Sequence, residues 1–318
     1  MSILLTGANG YIGSQLTWFL KSIGEEVVTL DLEDYNLNEI SNKLFKGDIR
    51  DPELLKRIFQ VLDVEIVVHL AALKSVPESI LFPEKYMSVN QAGTIQLAEM
   101  SRLMKVKLFI NISSAAVYGN AGAGAVSEFS ETTPDSPYGV SKLQAEEGLA
   151  LLVHDSEFRL TNLRLFNVVG QCDLSLEIKE NSNLIPLFVH KMLAGENPII
   201  FGNDYRTSDG TCIRDYVHVG DVLRAIKLCI DQFRKTGEIE HTFNIGSGQG
   251  VSVLDIYRQL CELLNFPYRP VFGPRREGDI EAIIANISKA KHSLGYIPQF
   301  TIEQAINSSV MAASNSMN

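Results

Sequence analysis

The sequence predicts an α/β protein in which a doubly wound parallel sheet is followed by a smaller mixed α/β domain. The chain opens with an apolar strand, a glycine-rich turn and a helix, and apolar strand-like runs then alternate with helical segments. From about residue 170 this alternation gives way to shorter apolar runs and polar loops. We therefore place the first domain at residues 1–170, with residues 219–245 or so returning to it, and the second domain at residues 171–318.

The composition is that of a soluble globular protein. Of the 318 residues 45% are hydrophobic and 21% are charged, and the net charge of −10 argues against the basic surface of a general nucleic-acid binder. The chain starts directly with a strand and no apolar run approaches ~20 residues, so we expect neither a signal peptide nor contact with a membrane. The four cysteines are scattered and lack zinc-site spacing, which predicts no metal, reduced thiols and a cytoplasmic location.

The first strand, Ser2–Thr6, is followed by glycines at positions 7, 10 and 13 and by an amphipathic helix to about Ile23. Glycine lets the backbone turn sharply and approach a diphosphate, which then rests on the outward-pointing amides of the helix N-terminus. Strand, turn and helix in this order indicate a Rossmann-type dinucleotide site, although the spacing is GxxGxxG rather than GxGxxG.

An acidic residue, Asp31, follows the second predicted strand, Glu26–Leu30. A carboxylate in this position accepts hydrogen bonds from an adenosine ribose and repels the 2′-phosphate of NADP, so NAD is favoured. After a short strand at Leu44–Lys46, Asp48 is expected to reach the adenine amino group.

Three further strands and one long helix complete the predicted first domain. They are Glu65–Leu70, Lys107–Ile112 and Leu160–Leu165 for the strands, and Pro83–Met104, which carries Asn90, for the helix. Ligands of doubly wound sheets bind beyond the carboxyl ends of the strands. The site is therefore expected around Gly7, Asp31, Ala71, Ser114 and Asn167.

The stretch after Lys107–Ile112 carries the residues best suited to catalysis. Pro137 marks a helix start, and Tyr138 and Lys142 then lie at i and i+4 on one face of that helix. A phenol with a pKa of ~10 is a poor base near neutral pH unless a cation stabilises its phenolate. Lys142 supplies that cation, and Ser114 supplies a hydroxyl from a strand end. With the dinucleotide turn upstream, this pattern favours a catalytic group over a surface pair.

The second half of the chain is predicted in less regular pieces. In chain order we predict a polar loop over Asp173–Ser182, a helix from near Leu184, a helix and a strand at Gly220–Ile230 and Thr242–Ile245, a helix near Ser252–Leu264 and a last helix after Thr301. The sequence contains no internal repeat and no low-complexity linker.

Motifs along nearly the whole chain point to one known family. They read TGANGYIGS, GDIRD, ALKSVPES, SSAAVYG, SPYGVSKL, RLFNVVG, IFGNDYRTSDGTCIRDYVHV, FNIGSGQGVSVLD and PRREGD. They resemble the extended short-chain dehydrogenase/reductase superfamily and, more narrowly, the UDP-glucose (UDP-galactose) 4-epimerase family. The resemblance implies an isomerase of carbohydrate metabolism that retains NAD and forms a homodimer, with the helices around residues 83–104 and 137–153 at the dimer contact.

The resemblance also implies which residues act. The catalytic group would be Ser114, Tyr138 and Lys142. The residues implied at the cofactor are Gly7, Gly10, Tyr11, Ile12, Gly13, Asp31, Asp48, Ile49, Leu70, Ala71, Ala72, Lys74, Asn90, Tyr138, Lys142 and Phe166. Those implied at a UDP-sugar are Lys74, Ser114, Tyr138, Asn167, Asn183, Leu184, Ile199, Phe201, Arg214, Tyr216, Arg276, Asp279 and Ile283. Among them Phe201 would lie against uracil and the arginines on the diphosphate, whose oxygens suit the guanidinium fork.

The implied reaction inverts C4 of a UDP-hexose without net redox change. Tyr138 as phenolate removes the 4-hydroxyl proton, directly or through Ser114, the C4 hydride passes to NAD, and the 4-keto sugar turns over before the hydride returns. Related dehydratases carry an acidic pair after the serine, where this chain has Ala115 and Ala116. A related 3,5-epimerase-reductase would need an acid/base thiol at the site, and no cysteine lies nearby in the sequence. The site is therefore expected to perform hydride transfer at C4 alone.

Three residues depart from the family pattern. Leu32 stands where Asn is often found, Leu165 where an aromatic residue is common, and Ile283 where a Tyr narrows the sugar pocket of some epimerases. The smaller Ile283 either admits N-acetylated UDP-hexosamines or is plain packing, and the sequence leaves both open. Two other functions also stay open: a reductase or dehydrogenase of another nucleotide sugar, and a non-catalytic NAD-binding sensor.

Overall fold

The computed structural model describes residues 1–33, 41, 43–120, 124–153, 157–174, 176, 183–276 and 278–317, so the loop predicted over Asp173–Ser182 lies largely outside the described residues. The strands are, in chain order, β1 (Ser2–Thr6), β2 (Val27–Asp31), β3 (Lys43–Lys46), β4 (Val64–His69), β5 (Leu108–Ser114), β6 (Ala125–Val126), β7 (Arg159–Leu165), β8 (Asn167–Val169), β9 (Ile199–Phe201), β10 (Ile213–His218), β11 (Thr242–Ile245), β12 (Gly250–Ser252), β13 (Val271–Gly273) and β14 (Ala282–Ala285). The α-helices are α1 (Tyr11–Ser22), α2 (Pro52–Val61), α3 (Val76–Leu81), α4 (Pro83–Tyr86), α5 (Thr94–Leu103), α6 (Pro137–Ala150), α7 (Leu184–Leu193), α8 (Val219–Thr236), α9 (Val253–Leu264), α10 (Ser288–Leu294) and α11 (Ile302–Met317).

Seven strands form one parallel sheet in the order β3-β2-β1-β4-β5-β7-β11. The chain runs outward from β1 through β2 to β3 and then returns to the other side of β1 with β4. The predicted doubly wound parallel sheet is thereby confirmed. In such sheets a ligand crevice opens beyond the carboxyl ends of the strands where the winding reverses, which here is between β1 and β4.

Both faces of this sheet are buried, which explains why its strands are mostly apolar. Along β1, Ile3 and Leu5 pack in a cluster with side chains of α1 and α8, whereas Leu4 packs in a second cluster with side chains of α2 and α5. Successive residues of a strand point to opposite faces, so a sheet covered by helices on both sides favours apolar residues at consecutive positions.

The remaining strands form a smaller mixed region. β10 pairs antiparallel with β12 and parallel with β14 and β8, β14 pairs with β6, and β9 and β13 form a separate pair. Side chains of α7, α9 and α11 pack together beside it. β6 and β8 precede residue 170, so the second sheet takes strands from both sides of the predicted boundary. In return, β11 pairs with β7 in the main sheet.

Two predicted helices differ in detail. The helix expected over Pro83–Met104 consists of α4, a π-helical turn over Met87–Gly93 and α5. A π-helical turn takes more residues per turn than an α-helix and is often found at functional sites. Here it carries the fully buried Asn90. The helix expected over residues 137–153 is α6, which ends at Ala150.

Within the described part of the chain, no helix is long and apolar enough to cross a membrane. Among the same residues, no cluster of His, Cys, Asp and Glu side chains has the arrangement of a metal site. The four cysteines are free thiols, and Cys172 is the most exposed of them.

Candidate active site at the carboxyl edge of the main sheet

The turn between β1 and α1 offers backbone amides to an anion. Gly7 has a left-handed φ of +71°, and a Cβ there would lie 2.5 Å from the amide nitrogen of Ala71, so glycine alone lets this turn approach the loop after β4. Gly10 precedes α1 without a side-chain cap, and the first turn of α1 contains no acidic residue. Gly10, Tyr11, Ile12 and Gly13 thus present an uncapped helix N-terminus, which fits a dinucleotide diphosphate.

Asp31 ends β2 beside this turn. Its Oδ2 accepts a hydrogen bond from the Asn9 amide at 2.9 Å and its Oδ1 accepts one from the Glu33 amide at 3.3 Å. The carboxylate is therefore fixed at the carboxyl edge of the sheet, in the position expected of a ribose acceptor. Leu32 is 63% exposed and offers no polar group there.

Asp48 is engaged by a neighbouring arginine. The Arg50 guanidinium contacts both carboxylate oxygens, with Nε 3.0 Å from Oδ1 and Nη2 2.6 Å from Oδ2. These hydrogen bonds lower the pKa of Asp48. Ile49, between the two, is buried. An adenine amino group that reaches Asp48 would have to share its carboxylate with Arg50.

The loop Leu70–Lys74 follows β4 and is held by Asn90. The Asn90 amide accepts from Leu73 N and donates to Leu73 O, both at 2.8 Å, and it also donates to Ser141 Oγ at 3.1 Å. The sequence assigned Asn90 to the cofactor. In the structure its side chain is fully buried and bonds to protein groups, so it shapes the loop, at whose end Lys74 is exposed.

Ser114 and Tyr138 come together because the start of α6 packs on the turn after β5. Ser136 Oγ caps α6 by accepting from Gly139 N at 3.2 Å, and a Cβ on Gly139 would lie 2.6 Å from Ala116 O. Burial raises the pKa of Tyr138, and a hydrogen bond with Ser114 acts in the opposite direction. By itself this pocket keeps the phenol protonated at neutral pH.

Lys142 lies one helical turn after Tyr138 and is 3% exposed. Its ammonium donates to Ile112 O at 2.6 Å, which is a bond to the backbone of β5 rather than to the phenol that the i, i+4 spacing suggests. Burial lowers the pKa of Lys142 to about 8, and the nearby Glu146 carboxylate opposes that effect. Lys142 thus supplies a buried cation one helical turn from Tyr138, and a phenolate base requires a positive charge of this kind in its surroundings.

Arg214 and Asp279 form a pair on the second sheet. Arg214 Nη1 donates to Ile280 O at 2.6 Å, and Nη2 lies 3.6 Å from Asp279 Oδ1. Burial raises the pKa of Asp279, while Arg214 and then Arg276 pull it down. Tyr216, two residues further along β10, is buried, and burial raises its pKa.

Arg276 and Phe201 form a second pair in the same region. The Arg276 guanidinium carbon lies 3.8 Å from the centroid of the Phe201 ring, a close cation–π contact. The family resemblance implied the ring at uracil and the guanidinium at the diphosphate. In this structure the two side chains stack on each other, so a base that binds Phe201 on this face would displace Arg276. Ile199, on the same strand, is 44% exposed.

Among the residues expected at the sugar, Ile283 packs with a residue that is next to the catalytic Ser114 in the chain. Ile283 is 5% exposed and packs in one cluster with Ala115 and Phe166, the residues that follow Ser114 and β7. Leu165 is also buried. The other residues expected at the sugar lie at element starts: Asn167 begins β8, Asn183 precedes α7 and Leu184 begins it.

Sequence reasoning missed three buried polar residues around the catalytic group. His69 ends β4 and bonds through Nδ1 to Thr6 Oγ1 at 2.7 Å and through Nε2 to Thr94 Oγ1 at 2.8 Å. Burial lowers its pKa to about 3, and the Lys142 charge adds to that effect. Glu146 and Arg164 form a buried ion pair behind Lys142, at 2.6 Å. The available signal was limited to His69, which ends an otherwise largely apolar strand, whereas α6 and β7 carry several other polar residues.

Comparison with known proteins gives the same assignment along the chain. The pattern of the NAD dependent epimerase/dehydratase family matches residues 3–246. A UDP-glucose 4-epimerase of Halalkalibacterium halodurans is 37% identical over 94% of this chain and 91% of its own. The chain therefore belongs to the NAD dependent epimerase/dehydratase family.

Solved structures are similar over the full length. A UDP-glucose 4-epimerase of Stenotrophomonas maltophila, with bound NAD and formylated UDP-arabinopyranose, superimposes with a TM-score of 0.93 at 32% identity and covers 100% of this chain and 99% of its own. A UDP-glucose 4-epimerase of Bifidobacterium longum, in complex with NAD+ and UDP, gives 0.89 at 32% identity, with 100% and 99% covered.

Proposed function

We propose, from its place in the NAD dependent epimerase/dehydratase family, that this protein is an NAD-dependent 4-epimerase of UDP-hexoses and interconverts UDP-glucose and UDP-galactose. The observation that carries the proposal is that Ser114 and the start of α6, with Tyr138 and Lys142, lie at the same carboxyl edge of the main sheet as the uncapped glycine turn and Asp31. The full-length similarity to epimerases that bind NAD and UDP-sugars supports it.

The glycine turn and the start of α1 would hold the diphosphate of NAD, and Asp31 the adenosine ribose. When bound, NAD supplies the reversible hydride transfer at C4, through a 4-keto sugar. The donor set fits this group, since the first amides of α1 lack a side-chain cap and Asp31 is fixed by Asn9.

Tyr138 is assigned the acid–base step. Its phenolate takes the 4-hydroxyl proton, with Ser114 positioned by its hydrogen bond to relay it, and returns the proton when the sugar is reduced. Lys142 stabilises the phenolate by its charge. Ala115 and Ala116 follow Ser114 and carry no proton-transferring group, so elimination of water has no acid–base partner there.

The smaller mixed region is assigned to the UDP moiety. Arg214 and Arg276 are the candidates for the diphosphate and Phe201 for uracil. The further candidates for contact with the UDP-sugar are Asn167 at the start of β8 and Asn183 and Leu184 at the start of α7. We assign no residue to hold the hexose in one orientation, because a sugar that must present both faces to the cofactor has to turn within the pocket. Because the buried Ile283 is smaller than an aromatic side chain, it would leave more room in the sugar pocket for an N-acetyl group.

We also propose a cytoplasmic homodimer built on α5 and α6. Leu103 at the end of α5 is 66% exposed and Leu151 just past α6 is 74% exposed, and such apolar side chains on adjoining helices favour a protein contact. Light scattering on the purified protein tests the dimer, and a monomeric mass would contradict it.

The function is tested by incubating purified protein, with no cofactor added, with UDP-galactose and separately with UDP-N-acetylgalactosamine. We expect interconversion with the 4-epimer by chromatography, and a loss of about 10²–10⁴-fold in kcat for Tyr138→Phe, which keeps the ring but removes the acid–base group. The Tyr268→Phe variant is the control, because that ring is 53% exposed.

Folded protein that converts neither sugar, even with NAD added, would contradict the proposal. Net oxidation or reduction of a nucleotide sugar that depends on added NAD would instead favour the dehydrogenase. Retained NAD with no turnover of either kind would favour a sensor.

A further inference from the structure

Helix α6 contacts β5 through three side chains that are one helical turn apart. The pairs are Tyr138 with Ser114, Lys142 with the Ile112 carbonyl oxygen at 2.6 Å, and Glu146 with the Ser113 hydroxyl. Side chains at i, i+4 and i+8 share one helix face, so the three contacts together fix both the rotation and the register of α6. The third contact lies about two helical turns after Tyr138 and has no role in the chemistry described above.

The Glu146 carboxylate is fixed from a second direction by Arg164 on β7. Arg164 Nη2 donates to Oε2 at 2.6 Å and Nε donates to Oε1 at 3.1 Å, and both residues are less than one-tenth exposed. Arg164 Nη1 donates to Tyr118 Oη at 3.0 Å, and that hydroxyl donates to Asn244 Oδ1 at 2.6 Å. The guanidinium is therefore held at both ends, and the carboxylate has no free rotation.

The groups around Lys142 give this carboxylate an electrostatic role. Burial lowers the pKa of the ammonium and Glu146 opposes that effect. The other titratable groups that face this region are Tyr138 on α6, His69 on β4, Tyr86 on α4, whose ring lies edge-on to Tyr138 at 6.4 Å, and Arg164 on β7. None of these supplies negative charge to the ammonium in the resting site at neutral pH. Glu78 on α3, which packs against α6, is a carboxylate, but it accepts from Lys85 Nζ at 2.8 Å and from Tyr86 Oη at 2.9 Å.

We propose that Glu146 is a positioning residue of the epimerase site. Its carboxylate, held by Arg164 and Ser113, sets α6 on β5 and keeps the Lys142 ammonium charged near Tyr138. The inference rests on the proposed function, because it assigns the Lys142 charge to the stabilisation of the Tyr138 phenolate. Glu146 contacts β5 and β7 and acts on the reaction through Lys142.

The direct test is an NMR titration of Lys142 in protein that carries ¹³C-labelled lysine, with the Lys142→Met variant used to assign the signal. In Glu146→Gln, which keeps the shape and removes the charge, we expect the Lys142 midpoint to fall by about one pH unit. An unchanged midpoint in folded Glu146→Gln would overturn the proposal.

The kinetic test is the pH dependence of kcat. Loss of the lysine charge ends activity on the alkaline side, so the alkaline limb of Glu146→Gln should move down by the same interval as the NMR midpoint. The matched control is Ser113→Ala, which removes one hydrogen bond to the carboxylate and keeps its charge, so its alkaline limb should stay in place. Equal movement of the limb in both variants would reduce Glu146 to a packing role.

Glu146→Gln leaves Arg164 buried and unpaired, and that alone can prevent folding. The double variant Glu146→Gln/Arg164→Met removes both charges and keeps the proposal testable. The reference is Arg164→Met, which shares the lost cation and keeps the carboxylate: a Lys142 midpoint in the double variant below that of Arg164→Met supports the inference, and an equal midpoint overturns it. A lowered midpoint in protein that converts no UDP-sugar would leave the coupling intact and remove the proposed function, so the two failures are distinguishable.

Discussion

The proposed cofactor side and the proposed sugar side of this site consist of different kinds of chemical groups. On the cofactor side the main groups are backbone amides at the start of α1 and one carboxylate, Asp31, which the Asn9 amide fixes at 2.9 Å. On the sugar side they are side chains of the smaller mixed region that contact each other: Arg214 with Asp279 at 3.6 Å, and Arg276 over Phe201 at 3.8 Å.

This difference indicates how firmly each ligand is held. Backbone amides in a parallel sheet are in place before binding, so little ordering opposes the cofactor. In the proposed site the arginines would exchange protein partners for phosphate, which would cost part of the binding free energy. A retained cofactor and a substrate that is released in every cycle are the expected consequence, and each prediction below tests one half of it.

The largest effect is expected for Gly7→Ala on the cofactor side. The new Cβ would lie 2.5 Å from the Ala71 backbone nitrogen at a φ of +71°, and the neighbouring backbone cannot yield. We expect purified Gly7→Ala to contain no NAD and to have no activity, measured as cofactor released on denaturation and as turnover.

Gly24→Ala is the matched control, because its φ is +86° but a Cβ there meets nothing within 4 Å. It should carry only the left-handed backbone cost of about 1–2 kcal/mol and retain NAD. Equal loss of NAD in both variants would show that the contact with Ala71 is not the cause.

The next effect is expected for Arg276→Ala on the sugar side. Loss of a charged hydrogen bond to phosphate should raise KM for the UDP-sugar by about 10- to 100-fold while kcat changes little. Bound NAD should be unaffected. The control is the adjacent Arg275→Ala, whose guanidinium stacks over Tyr205 at 4.1 Å and pairs with Asp204 at 2.6 Å. A kcat loss in Arg276→Ala with unchanged KM would contradict a binding role.

A smaller effect concerns pH and the buried His69. Its pKa is about 3 in the folded protein and 6.5 without burial, so the unfolded chain binds the proton first. Stability from neutral His69 is complete above pH 6.5 and is lost as the pH falls toward 3. We expect unfolding in urea to show about 2 kcal/mol less stability from this group at pH 5 than at pH 7.

His69→Asn should remove that part of the dependence of the free energy of unfolding on pH. His218, whose pKa burial lowers to about 4, contributes a slope of the same sign, so the variant is compared with the unmodified protein at both pH values. An identical slope in the two proteins would contradict a neutral, buried His69.

The smallest effect is expected for Ile283→Tyr. This side chain is 5% exposed and packs with Ala115 and Phe166, so a phenol ring there would narrow the space next to Ser114. We expect the ratio of kcat/KM for UDP-galactose over UDP-N-acetylgalactosamine to rise by about 10-fold. Ile284→Val, next along β14, is the control, and an unchanged ratio in Ile283→Tyr would make Ile283 plain packing.

The sequence by itself determined the doubly wound sheet, the glycine turn and the order of the candidate residues. These depend on local rules: apolar runs of strand length, glycine where a backbone must turn and approach another, and proline and serine at the start of α6. The resemblance of motifs added the family, which the comparisons show. Spacing also placed Tyr138 and Lys142 on one helix, since i and i+4 need no tertiary information.

Only the tertiary structure decided what those side chains contact. That Lys142 bonds to Ile112 and that Arg276 covers Phe201 are properties of groups far apart in the chain that packing brings together. The pair of Asp48 and Arg50 is local, but the residue types alone do not show that these two side chains bond to each other. The role of Glu146 was hidden for the same reason. Its partner Arg164 lies on another strand, and a carboxylate on a helix reads as a surface group until the fold buries it against a guanidinium.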